Sequence, residues 1–106
     1  MKLYARGMAQ KMGSPGEFLE SKIYGRVIGI AYLGNNNADN DFGWCGVKPV
    51  VQIDKENYIL DFAEDVIVET GDGIKIIECC QGDKNCWDAS IESCKKYDLY
   101  FFDMTK

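Results

Sequence analysis

Residues 47–62 and 66–80 each alternate apolar and polar side chains on either side of a turn, and this pattern constrains the fold more than any other feature. Successive side chains of a strand point to opposite faces, so a period of two separates a buried face from a wetter one. VKPVVQIDKENYILDF (47–62) reads as a hairpin about a four-residue turn, Asp54 to Asn57. With Ile53 opposite Tyr58, one face carries Val51, Ile53, Tyr58, Leu60 and Phe62 and forms the core side. Val50, Gln52, Ile59 and Asp61 share the other. Pro49 cannot donate to a ladder, so the strand begins near it or lies at an edge. In VIVETGDGIKIIECC (66–80), Asp72-Gly73 between two apolar runs predicts a two-residue type I′ turn. That turn pairs Val68 with Ile77 and Val66 with Cys79. It leaves Ile67, Glu69, Ile76 and Glu78 on the wetter face.

The flanking segments complete an α+β reading. KIYGRVIGIAYL (22–33) is β-branched and aromatic and predicts a long strand, with Gly25 and Gly29 marking curvature or a close backbone approach. Leu3, Met8 and Met12 fall near one helical face, so a short N-terminal helix over 2–12 is expected, although Gly7 costs it about 1 kcal/mol against Ala. GSPGEF (13–18) interrupts regularity and reads like the product of a cloning polylinker, so residues 1–18 are expected to be loosely attached or expression-derived. In CWDASIESCKKY, Trp87, Ile91 and Cys94 form the apolar stripe of a helix around 87–96, with Lys95 and Lys96 at its carbonyl end. DLYFFDM (98–104) is apolar on both sides and predicts an internal strand. The expected architecture is a mainly antiparallel, bent sheet of about six strands. One helix packs on a face and a short helix leads the chain. The variant is a small, partly open β-barrel with a helix.

The 106 residues make one domain, large enough to bury a core without metal or disulfide. The formal charge is −5 and unevenly spread. Residues 1–53 carry six Lys/Arg against four Asp/Glu, and residues 54–106 carry six against thirteen. Such a surface repels phosphate backbones and anionic membranes, unless the basic N-terminal residues Lys2, Arg6, Lys11, Lys22 and Arg26 act alone. The expectation is therefore a basic protein partner, with no direct nucleic-acid or membrane binding. The opening MKLYARGMAQKMGS lacks the apolar core of a secretory signal, which predicts a cytoplasmic chain with reduced thiols.

CCQGDKNCWDASIESC holds Cys79, Cys80, Cys86 and Cys94, but the chain has no histidine and no pair of C-x(2–4)-C knuckles. Buried or incidental thiols are expected here, with no metal and no cofactor. Among bridges, Cys80 to Cys86 is the one the loop QGDKN can close. Cys45, in GWCG, is the thiol expected at the surface, and without histidine it has no Cys-His base. In the 34–46 loop, Asp39 and Asp41 imitate a calcium loop that fails at its sixth and twelfth positions, Phe42 and Lys48. A loop of this length that carries Phe42 and Trp44 is a contact surface, with Asp39, Asp41, Phe42 and Trp44 as its contact residues. The registers above gather Asp61, Glu64, Asp65, Glu69 and Glu78 beside Ile67 and Ile76. An acidic patch with an apolar anchor suits a small non-enzymatic binding module, of the immunity, antitoxin or anti-defence kind, docking on a basic partner. The alternative is a small-molecule or metal-binding domain using the 34–46 loop or the cysteines. A third reading is a homo-oligomer paired through an edge strand.

Overall fold

The segment expected to be an N-terminal helix is a nine-residue strand, β1 (Leu3–Lys11), in a computed structural model that describes residues 3–61, 66–68, 73–74 and 82–106. Leu3, Ala5, Gly7 and Ala9 are buried while Arg6 and Met8 are exposed, a period of two in place of the helical stripe. The helical reading fails because Met8, its second anchor, is 41% exposed. The row that does face inward is small, Ala5, Gly7 and Ala9, and lets neighbouring strands close on it. Tertiary packing thus overrides the helix-favouring composition of the segment.

The remaining elements are β2 (Ile23–Tyr32), a 3-10 turn (Asn37–Asp39), β3 (Val47–Ile53), β4 (Glu56–Asp61), β5 (Val66–Val68), β6 (Gly73–Ile74), α1 (Lys84–Tyr97) and β7 (Tyr100–Asp103). β1 pairs antiparallel with β2 through Tyr4–Arg26 and Arg6–Tyr24, and with β4 through Met8–Asp61 and Lys11–Tyr58. β2 pairs with β3 and β3 with β4, so β1, β2, β3 and β4 form a closed antiparallel barrel rather than an open one. β5 extends the line of β4 along β1 (Leu3–Val68), and β6 adds to β5. β7 lies parallel to β2 at the end of the sheet, not inside it. The bend expected in β2 is present: the β2–β3 register shifts between Val27 and Gly29. A Cβ at Gly29 would stand 2.5 Å from the Phe102 ring and 2.6 Å from the Tyr100 carbonyl oxygen, so only glycine lets β7 approach.

Two turns differ from expectation. Asp54 (φ 49°) and Lys55 (φ 69°) form a two-residue turn with both centres left-handed, which sets Ile53 opposite Glu56 and Val51 opposite Tyr58. The slip of two residues is a whole period, so each side chain keeps its expected face. Gly73 is not a turn residue: it pairs with Ile67, and Val66 pairs with Ile74 instead of Cys79. Because β5 is tied to β1 through Leu3 and Tyr4, the barrel and not the Asp-Gly signal sets its position.

Both faces of the β3–β4 hairpin are core. Val51 and Leu60 join Leu3, Ala5, Ala9, Val27, Ile30 and Val47, with Cys86 and Cys94 arriving from α1. Val50 and Ile59 join Ala31, Leu33 and Phe42, with Trp44, Phe102 and Met104 packed around them. α1 starts at Asp83, whose carboxylate accepts the Cys86 N–H at 3.0 Å, and stops at left-handed Asp98. Its buried row is Cys86, Ser90 and Cys94. Trp87, expected in that row, stands half-buried with its ring edge-on to Tyr32 and Phe101, both at 4.8 Å. Among the described residues no helix is long and apolar enough to cross a membrane.

Candidate functional site

Asp61, the first of the expected patch carboxylates, is committed inside the fold. Its Oδ1 accepts from Lys48 Nζ at 2.5 Å, with the two side chains 16% and 5% exposed. The Lys48 ammonium also stands 5.6 Å from the centre of the Trp44 ring. β3 and β4 place these groups, and burial of the pair is tolerated because each charge meets its opposite. Ile67 belongs to β5, opposite Tyr4, and only its backbone is described. Glu64, Asp65, Glu69, Ile76 and Glu78 lie outside the described residues.

The 34–46 loop is held from within. Buried Asn40 donates its Nδ2 to the Leu33 and Trp44 carbonyls at 2.6 and 2.7 Å and accepts the Phe42 N–H at 2.9 Å. Buried Gln10 donates to the Phe42 carbonyl at 2.9 Å. Phe42 is therefore a core residue, 5% exposed, and offers no contact surface. Asp39 is half-buried in the 3-10 turn, and exposed Asp41 pairs with Lys106 at 2.8 Å. Trp44 is half-buried and edge-on to exposed Phe18 at 6.0 Å. The described residues contain no group of three His, Cys, Asp or Glu placed to hold a metal ion.

The cysteines divide. Cys86 is disulfide-bonded, which corrects the expectation of a thiol there, whereas Cys45 and Cys94 remain thiols. Burial pushes the Cys94 thiol up, against a smaller opposing hydrogen bond from the Ile30 backbone, and its Sγ lies 3.4 Å from the Tyr100 carbonyl oxygen. A thiol kept protonated in this way is a packing group, not a nucleophile. Cys79 and Cys80 lie outside the described residues.

What the barrel does assemble at its surface is basic and aromatic. Directly opposed residues of an antiparallel pair share a face. The pairs Tyr4–Arg26 and Arg6–Tyr24 therefore put two tyrosines and two arginines on one side of the β1–β2 ribbon, with Met8 next along β1. The Tyr4 and Tyr24 rings stack at 5.7 Å with planes 10° apart, and Tyr24 is 55% exposed. Arg6 and Arg26 are exposed, and neither makes an ion pair or side-chain hydrogen bond among the described residues. The sequence signal for this face was its charge asymmetry, since Arg6 and Arg26 both belong to the basic first half. The helical reading of 2–12 hid it by placing Tyr4 with Met8 on the buried stripe and Arg6 on the opposite side.

Beside this face lies a cleft. β3 occupies one edge of β2 from Arg26 to Tyr32. β1 takes the other edge as far as Arg26, and β7 resumes it at Gly29. Val27 and Ile28 have no described strand partner on that edge, and the gap opens into a cavity of about 370 Å³ lined by Arg26, Val27, Ile28, Tyr97, Asp98, Leu99 and Tyr100. No protein family, curated protein or solved structure matches this chain.

Proposed function

We propose that this chain is a non-enzymatic protein-binding module that docks an acidic partner on the outer face of β1 and β2. The observation that carries the reading is the stack of half-buried Tyr4 on exposed Tyr24, flanked by two arginines without ion pairs among the described residues. Tyrosine, arginine and methionine are the residues enriched in interface cores, because they combine large contact area with strong polar bonds. Folded chains neutralise or disperse their cations, and two bare guanidiniums beside a ring stack are placed for carboxylates, which they bind in a bidentate manner. The partner's charge is thus opposite to the one composition suggested. That expectation rested on carboxylates of which Asp61 is already neutralised by Lys48.

A protein partner is favoured over a single-stranded nucleic acid by magnitude. Two phosphate contacts would give a salt slope of only about −1.4, too shallow to hold a polyanion against a chain of net charge −5. The test is amide chemical-shift mapping with three defined probes: a glutamate-rich peptide, its glutamine counterpart and an oligo-dT strand. The expected outcome is glutamate-dependent shifts over residues 4–8 and 24–26 that fade as salt rises from 50 to about 300 mM. Absence of those shifts, or tighter binding of the oligonucleotide, overturns the reading.

A further inference from the structure

The docking face continues past Met8. Gln10 is bridged to Phe18, and the Leu19 amide bonds the Ala9 carbonyl at 3.1 Å, so residues 18–20 run antiparallel beside β1 on the edge that β2 takes up at Ile23. Leu19 packs against the core, which turns Phe18 and Glu20 outward, onto the side of the ribbon that carries Tyr4, Arg6, Met8, Tyr24 and Arg26. We infer that the partner docked on this face is a second copy of the same chain, related by a two-fold axis that crosses β1 near Gly7 and sets Arg6 of each copy on Glu20 of the other. The inference rests on the docking reading above and adds to it the identity of the partner.

Exposure, charge and order converge on that partner. Met8, Phe18 and Tyr24 are three of the four large hydrophobic residues exposed among the described ones, and all three lie in this strip. A contiguous row of that kind marks an interaction surface. Glu20 is exposed and, like Arg6 and Arg26, makes no ion pair among the described residues. Lys22, the cation nearest to it in sequence, is engaged in an interaction of its own. The Leu19–Ala9 bond places Glu20 beside Met8, two residues or about 7 Å along β1 from Arg6, so the opposite charges stand near each other in one copy without meeting. Counted along β1, Arg26 lies level with Tyr4, Tyr24 with Arg6, Glu20 with Met8 and Phe18 with Gln10. Rotation about an axis lying across the strands at Gly7 exchanges the level of Arg6 with that of Met8, and the level of Tyr4 with that of Gln10. Glu20 of one copy then faces Arg6 and Tyr24 of the other, and the Phe18 ring faces the Arg26 guanidinium, a cation over an aromatic face. A face whose complement is its own reverse is what an isologous contact requires. A uniformly acidic partner would use the arginines, meet repulsion at Glu20 and leave Phe18 uncovered.

The experiment is sedimentation velocity on the full chain and on two charge reversals, Arg6→Glu and Glu20→Arg, each alone and the two mixed. The native chain is expected to pass from monomer to dimer between about 10 μM and about 1 mM. Each reversal sets like charges together at both symmetric contacts and is expected to weaken the dimer by about tenfold or more. An equimolar mixture of the two variants regains both contacts with their signs exchanged. It is expected to dimerise as the native chain does, a recovery that misfolded variants cannot give. If the native chain stays monomeric at about 1 mM while the glutamate-rich peptide still shifts residues 4–8, the second-copy assignment falls and the docking reading stands. With the peptide silent as well, both fall together. A native dimer that survives either reversal, or a mixture that remains monomeric, puts the contact elsewhere and overturns the assignment.

Discussion

Lys48 and Asp61 show how one residue can be legible as a charge and misleading as a site. The pair is nearly enclosed, so removing the Asp61 carboxylate takes from the Lys48 ammonium its contact at 2.5 Å in a low dielectric, and breaking such a buried pair typically costs about 3–5 kcal/mol. Asp61→Ala is expected to lower the unfolding free energy by that much, seen as a lower urea midpoint. The double variant Lys48→Met with Asp61→Leu is expected to recover most of the loss, since two apolar groups need no partners. Equilibrium urea unfolding of the four proteins checks this, and a double variant as unstable as the single one would refute it. Tyr32 carries a pH signature of its own. Burial, then the carboxylates of Asp103, Asp39 and Asp83, raise its phenol above the ordinary value of 10.0, and its O–H donates to the Gly82 carbonyl at 2.5 Å. The folded state therefore holds this proton more tightly than the unfolded chain. The resulting stability is fully present below pH 10 and is lost as pH rises toward the folded-state value. Tyr32→Phe is expected to lose about 1 kcal/mol at pH 7 and to flatten the fall in melting temperature between pH 9 and about 11.

The helix was the most legible element, read from helical spacing with Lys95 and Lys96 at its carbonyl end, while the structure starts it one turn earlier, at the Asp83 cap, and ends it at the left-handed exit of Asp98. Asp83→Ala should cost about 1 kcal/mol in thermal unfolding, and Asp83→Asn much less, since Asn caps nearly as well. Which residues of 47–61 share a face was also legible, as alternation survives a register slip of two, but the face of Val50 and Ile59, expected to be the less buried one, is core as well. Three features were not legible. β1 has helix-forming residues, and only the tight space between β2 and β4 explains why Ala5, Gly7 and Ala9 form an inward row. The Asp72-Gly73 signal was outweighed by the ladder from β1 to β5, a contact distant in sequence. The Tyr/Arg face needs residues 4–8 and 24–26 brought side by side, and no local pattern states which strands are neighbours.

At the scale of the whole molecule, β1 is the strand on which closure depends. It pairs with β2 through residues 4–7, with β4 through 8–11 and with β5 through 3–4. The turn that follows is itself bonded back, with the Leu19 and Lys11 amides donating to the Ala9 and Glu17 carbonyls at 3.1 and 3.3 Å. A segment so placed is a wall of the barrel and not an arm resting on it. Removing residues 1–11 would open the ring, expose the edges of β2 and β4, and uncover the cluster of Val27, Val51 and Leu60. A chain of this size has about 5–15 kcal/mol of net stability to lose, and opening its core exceeds that. The truncated chain is therefore expected to show a collapsed amide dispersion and no cooperative thermal transition. Added in trans, a peptide of residues 1–19 should restore both in proportion to its concentration, as binding linkage requires. A truncated chain that melts cooperatively near the native temperature would mean that the remaining strands make a core without β1. The docking face would then lose its structural basis as well, since β1 supplies Tyr4 and Arg6 and fixes their alignment with Tyr24 and Arg26.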